Sequence, residues 1–206
     1  MNFGACLVAF LLAAGLERLW ETGASRRAIR GEKRQPWTFF AFLVLQVAIY
    51  ALTAVEYFAM RRPVVWPVAV AALMVFGLAT WLRLVAVRTL GKYWSLHLEI
   101  RSDHQFVTEG IYRHVRHPAY AAIMAEVISV PLVGNAYYTA LFALLTYVPL
   151  LLFRWRREEG EMIAKFGEPY RRYCREVPAF VPWSRALRVG DNSRSNPPSD
   201  VGGSAA

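Results

Sequence analysis

The chain has only two cysteines, Cys6 and Cys174. They are expected near opposite faces of a membrane, so they offer no disulfide framework. No Cys or His spacing of the zinc type occurs either. There is no G-x-G-x-x-G following a strand-like run and no P-loop, which removes the soluble dinucleotide fold and the phosphate-cradling loop. No internal repeat is evident. Most informative is the lack of charge over long stretches. Met1–Leu16, Gln35–Val55 and Pro63–Leu82 contain no Asp, Glu, Lys or Arg, and the 36 residues of Pro118–Phe153 contain only Glu126.

Of the 206 residues, 56% are hydrophobic, against about 45–50% in soluble domains. The excess sits in the uncharged runs. A membrane-spanning helix needs ~20 mainly apolar residues, so three runs approximate one span each and the last is long enough for two. Val133-Gly134-Asn135 supplies the turn between those two. The expected fold is therefore an all-α integral membrane protein with about five spans, near 2–20, 38–60, 64–88, 118–133 and 136–153. The fourth is the shortest. The first lacks the positively charged leader of a signal peptide, and its positive charges follow the apolar run, so a retained span is expected.

The net charge is +9, but its placement argues against nucleic acid. Arg26, Arg27, Arg30, Lys33 and Arg34 crowd one loop, and Arg154, Arg156, Arg157, Lys165, Arg171, Arg172 and Arg175 follow the last span. Loops rich in Lys and Arg stay cytoplasmic. Five spans then put the amino terminus outside and the carboxyl terminus in the cytoplasm. Arg61-Arg62 opposes this orientation but is outweighed. Glu56, near the outer end of the second span, is expected to pair with Arg61 or Arg62.

The chemistry is concentrated in Thr108–Tyr120, T-E-G-I-Y-R-H-V-R-H-P-A-Y. It follows a polar segment, Thr89–His117, too long for a tight turn, and loops of that length are often functional. Pro118 suits the first position of a helix, where no N–H is needed. The residue before a proline is held extended. His117 is thus expected beside a helix amino terminus, with free N–H groups and the positive dipole end nearby, a place that suits a carboxylate. An ordinary basic interfacial patch formed by Arg113, His114, Arg116 and His117 is the competing reading.

Arg154 and Glu158 share one helix face by their spacing of four, with Glu161 close to it. A solvated ion pair is the plain alternative. Gly167 is expected to end the fifth helix and Pro169 to open another turn carrying Tyr170 and Tyr173. Residues 184–206 read as a disordered tail rich in Ser, Pro, Gly, Asn and Asp. Glu126, about two turns inside the fourth span, is either a functional intramembrane acid or a packing acid paired with an arginine. The four histidines, His97, His104, His114 and His117, fit no zinc spacing, so no metal is expected.

Taken together these residues resemble the isoprenylcysteine carboxyl methyltransferase family. The likeness runs from Gly91 to Trp183. It comprises L-G-x-x-W (Leu90 to Trp94), V-T-x-G-x-Y (Val107 to Tyr112), R-H-P-x-Y (Arg116 to Tyr120), R-x-x-x-E (Arg154 to Glu158), F-G-x-x-Y-x-x-Y (Phe166 to Tyr173) and a closing V-P. The three amino-terminal spans over 1–88 match only as generic membrane helices, and the resemblance implies a methyltransferase region over 89–183. It implies S-adenosyl-L-methionine as cofactor and methyl transfer to a lipophilic or prenylated acceptor at the cytoplasmic membrane face, beside membrane lipid. By the same resemblance, His104, Gln105, Phe106 and Val107 line the cofactor pocket, joined by Tyr112. His117, Pro118, Ala119 and Tyr120 form the cofactor-binding helix start. Glu158 is the cofactor-binding acid and Arg154 addresses the acceptor. His97 stands where some relatives use glutamine. His114 and Glu126 receive no family role, and Glu126 is kept as a candidate acceptor contact. His117 or His97 is the candidate base if the acceptor is a phenol. Membrane sterol reductases share an R-H-P-x-Y-like element with an NADPH site and are the alternative, as is a phospholipid N-methyltransferase.

Overall fold

The structure is a computed structural model that describes residues 2–25, 32–34, 36–91, 98–100 and 106–180. The expected spans all form. Helices α1 (Phe3–Ser25), α2 (Pro36–Met60), α3 (Trp66–Leu90), α4 (Pro118–Val133) and α5 (Tyr137–Phe166) are followed by a short α6 (Glu168–Glu176). Four of them, α1, α2, α3 and α5, are long and apolar enough to cross a membrane, and α4 is a shorter apolar helix. This is a multi-pass membrane protein. Its lipid-facing surface is apolar, with Leu12, Trp20, Phe40, Val44, Met74 and Trp81 all exposed. Among the described residues, the regular structure besides these helices is a 3-10 turn at Gly110–Arg113 and two three-residue strands. Those strands, β1 (Glu32–Arg34) and β2 (Leu98–Ile100), pair antiparallel with Lys33 opposite Glu99. They tie the α1–α2 connection to the α3–α4 connection at one end of the bundle, called here the site end.

The opposite end is built of two hairpins. The α4–α5 turn falls at Gly134-Asn135, as the sequence requires. Asn135 takes a positive φ of 53°; its Oδ1 accepts the Val65 N–H at 2.5 Å and its Nδ2 donates to Leu132 O at 3.2 Å. A Cβ on Gly134 would lie 3.1 Å from Leu7 and 3.2 Å from Thr53, so α1 and α2 close directly over this turn. Glu56 departs from expectation. It does not reach back to Arg61 or Arg62; it accepts the N–H groups of Tyr138 (3.1 Å) and Thr139 (2.8 Å) and the Thr139 hydroxyl (2.8 Å). The free N–H groups of a buried helix start need acceptors more than surface arginines do.

The interior is layered along the bundle. Leu7, Leu11, Ala72, Val130 and Val133 join α1, α3 and α4 near the hairpin end. Ile49, Val127, Ala143, Tyr147 and Leu151 join α2, α4 and α5 at mid-depth. Ala86, Tyr112 and Ala119 pack the 3-10 turn between α3 and the head of α4 at the site end. Beyond it α5 continues as a charged helix until Gly167, whose positive φ of 63° and N–H to Ile163 O (2.9 Å) stop it, after which Pro169 starts α6. That boundary lies where the sequence put it.

Candidate functional site

His117 is the residue at the head of α4. Its φ and ψ (−126°, 57°) are non-helical, and the α4 ladder begins with Ala121 N–H on His117 O at 3.1 Å. The N–H groups of Ala119 and Tyr120 lie outside that ladder, as the first turn of any helix leaves them. The backbone around His117 is fixed by the chain that follows α6: Arg116 N–H donates to Pro178 O and His117 N–H to Ala179 O, both at 2.9 Å. Arg116 reinforces this clamp through its guanidinium, which donates to Cys174 O and, at 3.0 Å, to Val177 O.

The His117 ring is buried and meets three aromatics. It stacks on Tyr120 (5.6 Å, 16°) and lies near Trp155 and Phe180, both at 6.2 Å. Its Nε2 lies 3.1 Å from Glu159 Oε1. An ionised carboxylate only accepts, so Nε2 is the donor there, and Nδ1 can accept only in the neutral ring. Arg116 also binds Glu159 at 2.8 Å. Glu159 is the residue that sequence reasoning missed. The available signal was its spacing of four from Trp155, which gives the Glu158-Glu159 pair two adjacent helix faces.

Tyr120 links the other two candidates. Its hydroxyl donates to Glu158 Oε2, and Arg154 Nε donates to Tyr120 Oη at 3.2 Å. The shared face expected for Arg154 and Glu158 is therefore turned toward the head of α4. Arg154 is buried and lies 5.8 Å from the ring centroid of Phe42 in α2. Tyr112 is buried against Ala86 and Ala119, within electrostatic reach of Glu158 and Tyr120. Burial pushes its phenol well above the ordinary value, so it stays protonated. Tyr170 and Tyr173 are raised by burial as well. Tyr173 donates to Tyr112 O at 2.6 Å, tying α6 to the 3-10 turn. Phe106 packs on Phe166, Tyr170 and Tyr173, and Val107 on the Tyr112 cluster.

The structure thus gathers Tyr112, His117, Pro118, Ala119, Tyr120, Arg154 and Glu158, with Phe106 on their α6 side and Val107 against the Ala86–Tyr112–Ala119 cluster. His97, His104 and Gln105 lie outside the described residues. His114 is exposed and apart from the group. Glu126 lies six residues beyond Tyr120, about 9 Å along the helix, and takes the paired form of its two expected roles. Arg83 Nε binds both its oxygens (3.0 and 3.2 Å), and Arg18 of α1 binds Oε2. Arg83 also reaches Glu17 at 2.5 Å. Arg83 is wholly buried. It lies inside the expected third span, so it was legible as a partner for an intramembrane acid.

Residues 70–164 match the profile of the isoprenylcysteine carboxyl methyltransferase family. That segment, a little under half of the chain, is where the sequence is similar to this family. It is 36% identical over 81 residues to a protein-S-isoprenylcysteine O-methyltransferase of Schizosaccharomyces pombe, covering 39% of this chain and 34% of that protein. It is 33% identical over 135 residues to the same enzyme of Rattus norvegicus, covering 63% and 46%. The chain therefore spans less than half the length of either. Methanethiol S-methyltransferase 2 of Bradyrhizobium diazoefficiens is 27% identical over 223 residues and covers 96% of this chain and 81% of that protein. A solved structure of a eukaryotic intramembrane Ras methyltransferase aligns with a TM-score of 0.48 at 22% identity, over 71% of this chain and 50% of that one, too loosely to bear on the site. All the candidates from Tyr112 to Glu158 lie inside the matched segment, as does most of α3, whereas α1 and α2 precede it.

Proposed function

We propose that this protein is a membrane methyltransferase that moves a methyl group from S-adenosyl-L-methionine to an oxygen of a lipophilic acceptor. The acceptor oxygen is a carboxylate, as in isoprenylcysteine, or a phenol. The observation that carries this reading is the part-buried relay Arg154–Tyr120–Glu158, with Arg154 buried, set against the buried His117 at a helix start. The family match over residues 70–164 supports it, and so does the methyl transfer named for relatives whose acceptors differ.

The donor set fits the cofactor. A sulfonium nucleotide carries a carboxylate, an ammonium, hydroxyls and an aromatic base. The head of α4 offers N–H groups to an anion. The buried indole N–H of Trp155 makes no well-formed hydrogen bond, and lies close enough to the Glu159 carboxylate to lower the pKa of that acid. Glu158 accepts from hydroxyls or offsets positive charge, and the faces of Tyr120, Trp155 and Phe180 attract cations and stack. When bound, the cofactor supplies a methyl carbon made electrophilic by its sulfonium.

The protein's part is alignment, since displacement at carbon needs acceptor oxygen, methyl and sulfur in line. Arg154 holds the acceptor. A carboxylate is already ionised at neutral pH and takes two parallel bonds from a guanidinium. A phenol would lose its proton to His117 Nδ1, the nitrogen not turned toward Glu159. α4 has 16 residues, about 24 Å of helix against a hydrocarbon core of ~30 Å. With its hairpin end near one membrane surface, its head lies below the other, level with lipid. Positive charge beyond the site end supports a cytoplasmic position for that side. The units of the chain follow: 1–88 as membrane scaffold and 89–183 as cofactor and catalytic region.

The test offers labelled cofactor, in detergent and in reconstituted membranes, to a membrane lipid extract, a farnesyl-cysteine analogue and an alkylphenol. Label in at least one acceptor, lost in the Arg154→Ala variant, is expected. No transfer to any of them, with NADPH bound instead of S-adenosylhomocysteine, would turn the reading to the reductase class.

A further inference from the structure

The chain beyond the matched segment returns to the head of α4, and one arginine holds it there. Arg116 stands just before His117, and its side chain is only 9% exposed. Its two terminal nitrogens reach two other elements. Nη2 binds Glu159 of α5 at 2.8 Å. Nη1 donates to Cys174 O and, at 3.0 Å, to Val177 O. Cys174 lies in the last turn of α6, where carbonyls lack a helical partner and positive charge is favoured. Arg116 therefore caps α6 from outside. The backbone adds two bonds in step: the Arg116 N–H meets Pro178 O, and the His117 N–H meets Ala179 O. The next residue along the chain is Phe180. Its ring lies 4.8 Å from that of Trp155 and 6.2 Å from that of His117. Trp155 and Glu159 are four apart on α5, so one helix face receives both Phe180 and Arg116. Around His117, Tyr120 stacks from α4 and Trp155 approaches from α5. Helix geometry sets both of those rings. Phe180 stands outside the helices, so the clamp is what fixes its place.

We propose that Arg116 is a positioning residue for the cofactor site, and that Phe180, which it holds against Trp155 and His117, is a wall of that site. The inference rests on the reading of His117 as a cofactor residue. It extends the site past residue 164, where the family match ends, to the chain after α6. Arg116 does not touch the reacting atoms; it acts through the carbonyls of Cys174 and Val177 and through Glu159. Without the guanidinium, those carbonyls and the Glu159 carboxylate lose a charged donor. A buried acceptor left without its donor works against the docked arrangement. A sulfonium nucleotide seated at His117 would then meet an open side where Phe180 had stood.

Equilibrium binding of S-adenosylhomocysteine to the full-length detergent-solubilised protein, in a double-mutant cycle of Arg116→Ala and Phe180→Ala, tests this. Phe180→Ala is expected to weaken binding about fivefold, the yield of one aromatic contact. Arg116→Ala should weaken it at least as much. Adding Phe180→Ala to that variant should cost nothing further, because the ring is already displaced. Arg116→Lys, which keeps a charged donor but not the planar fork, should recover part of the loss. An arginine that served the fold alone would give independent losses that multiply. Multiplying losses, or Phe180→Ala with unchanged affinity, overturns the inference, and the second result needs no arginine variant to fold. Hydrogen exchange on the same samples separates the clamp from the ligand. The Arg116 and His117 amides are expected to be protected in wild type and to exchange faster in Arg116→Ala. Unchanged exchange in that variant overturns the clamp. Wild type that binds no S-adenosylhomocysteine while the exchange difference holds removes the role of Phe180 together with the cofactor reading and keeps the clamp.

Discussion

At the scale of single residues, the candidate site depends on which group each side chain is tied to. His117 is held by Glu159 on one ring nitrogen and by backbone bonds to the segment after α6. Replacing His117 or Glu158 by Ala should therefore weaken S-adenosylhomocysteine binding by about tenfold or more, the usual yield of a hydrogen bond to a charged group. Arg154→Ala should leave that affinity near wild type and act on the acceptor. Equal cofactor affinity in all three variants would defeat the assignment. Glu159→Gln tests the residue that only the structure revealed. It keeps a hydrogen bond to His117 but removes the charge shared with Arg116, so a smaller loss of cofactor affinity is expected than for His117→Ala. The tyrosines near α6 carry a pH dependence. Burial raises the Tyr173 phenol above its ordinary 10.0, so the fold favours its protonated form. The associated stability is fully present below about pH 10 and is lost as pH rises toward the folded-state value. Thermal stability should fall more steeply above about pH 10 in wild type than in Tyr173→Phe.

At the scale of elements, helix ends decide more than helix bodies. The uncharged runs and the Gly167-Pro169 pair made the five apolar helices and the α5–α6 break readable, because apolar length and chain-breaking residues are local properties of sequence. The head of α4 was readable for the same reason: proline fixes both itself and His117. Glu56 was not. Its partners are N–H groups of residues 82 and 83 positions away, and no local pattern reports which helix start packs against it. Glu56→Ala should cost about 1–2 kcal/mol in stability by uncapping α5, measured as a lower midpoint of thermal aggregation in detergent. An unchanged midpoint would show that the cap is dispensable. Glu159 escaped notice for a similar reason. Helix spacing tells which residues share a face, but not which of two adjacent faces meets α4.

At the scale of the whole molecule, the family segment and the helices that precede it are joined by charge as well as by apolar packing. Glu17 and Arg18 of α1 bind Arg83 and Glu126 of α3 and α4 deep in the bundle. Arg83→Met should cost close to the low end of ~3–5 kcal/mol, since Arg18 still pairs with Glu126. Arg83→Met combined with Glu126→Leu should recover much of that loss; no recovery would show that the network does more than compensate buried charge. The central claim is that the head of α4 and the first turns of α5 beyond the membrane enclose one sulfonium nucleotide site. The most direct measurement is equilibrium binding of S-adenosylhomocysteine and of NADPH to the detergent-solubilised full-length chain, wild type beside His117→Ala and Glu158→Ala. Saturable binding of the first ligand alone, weakened in both variants, is the predicted result. Binding of NADPH in its place, or adenosylhomocysteine binding indifferent to both substitutions, would contradict it.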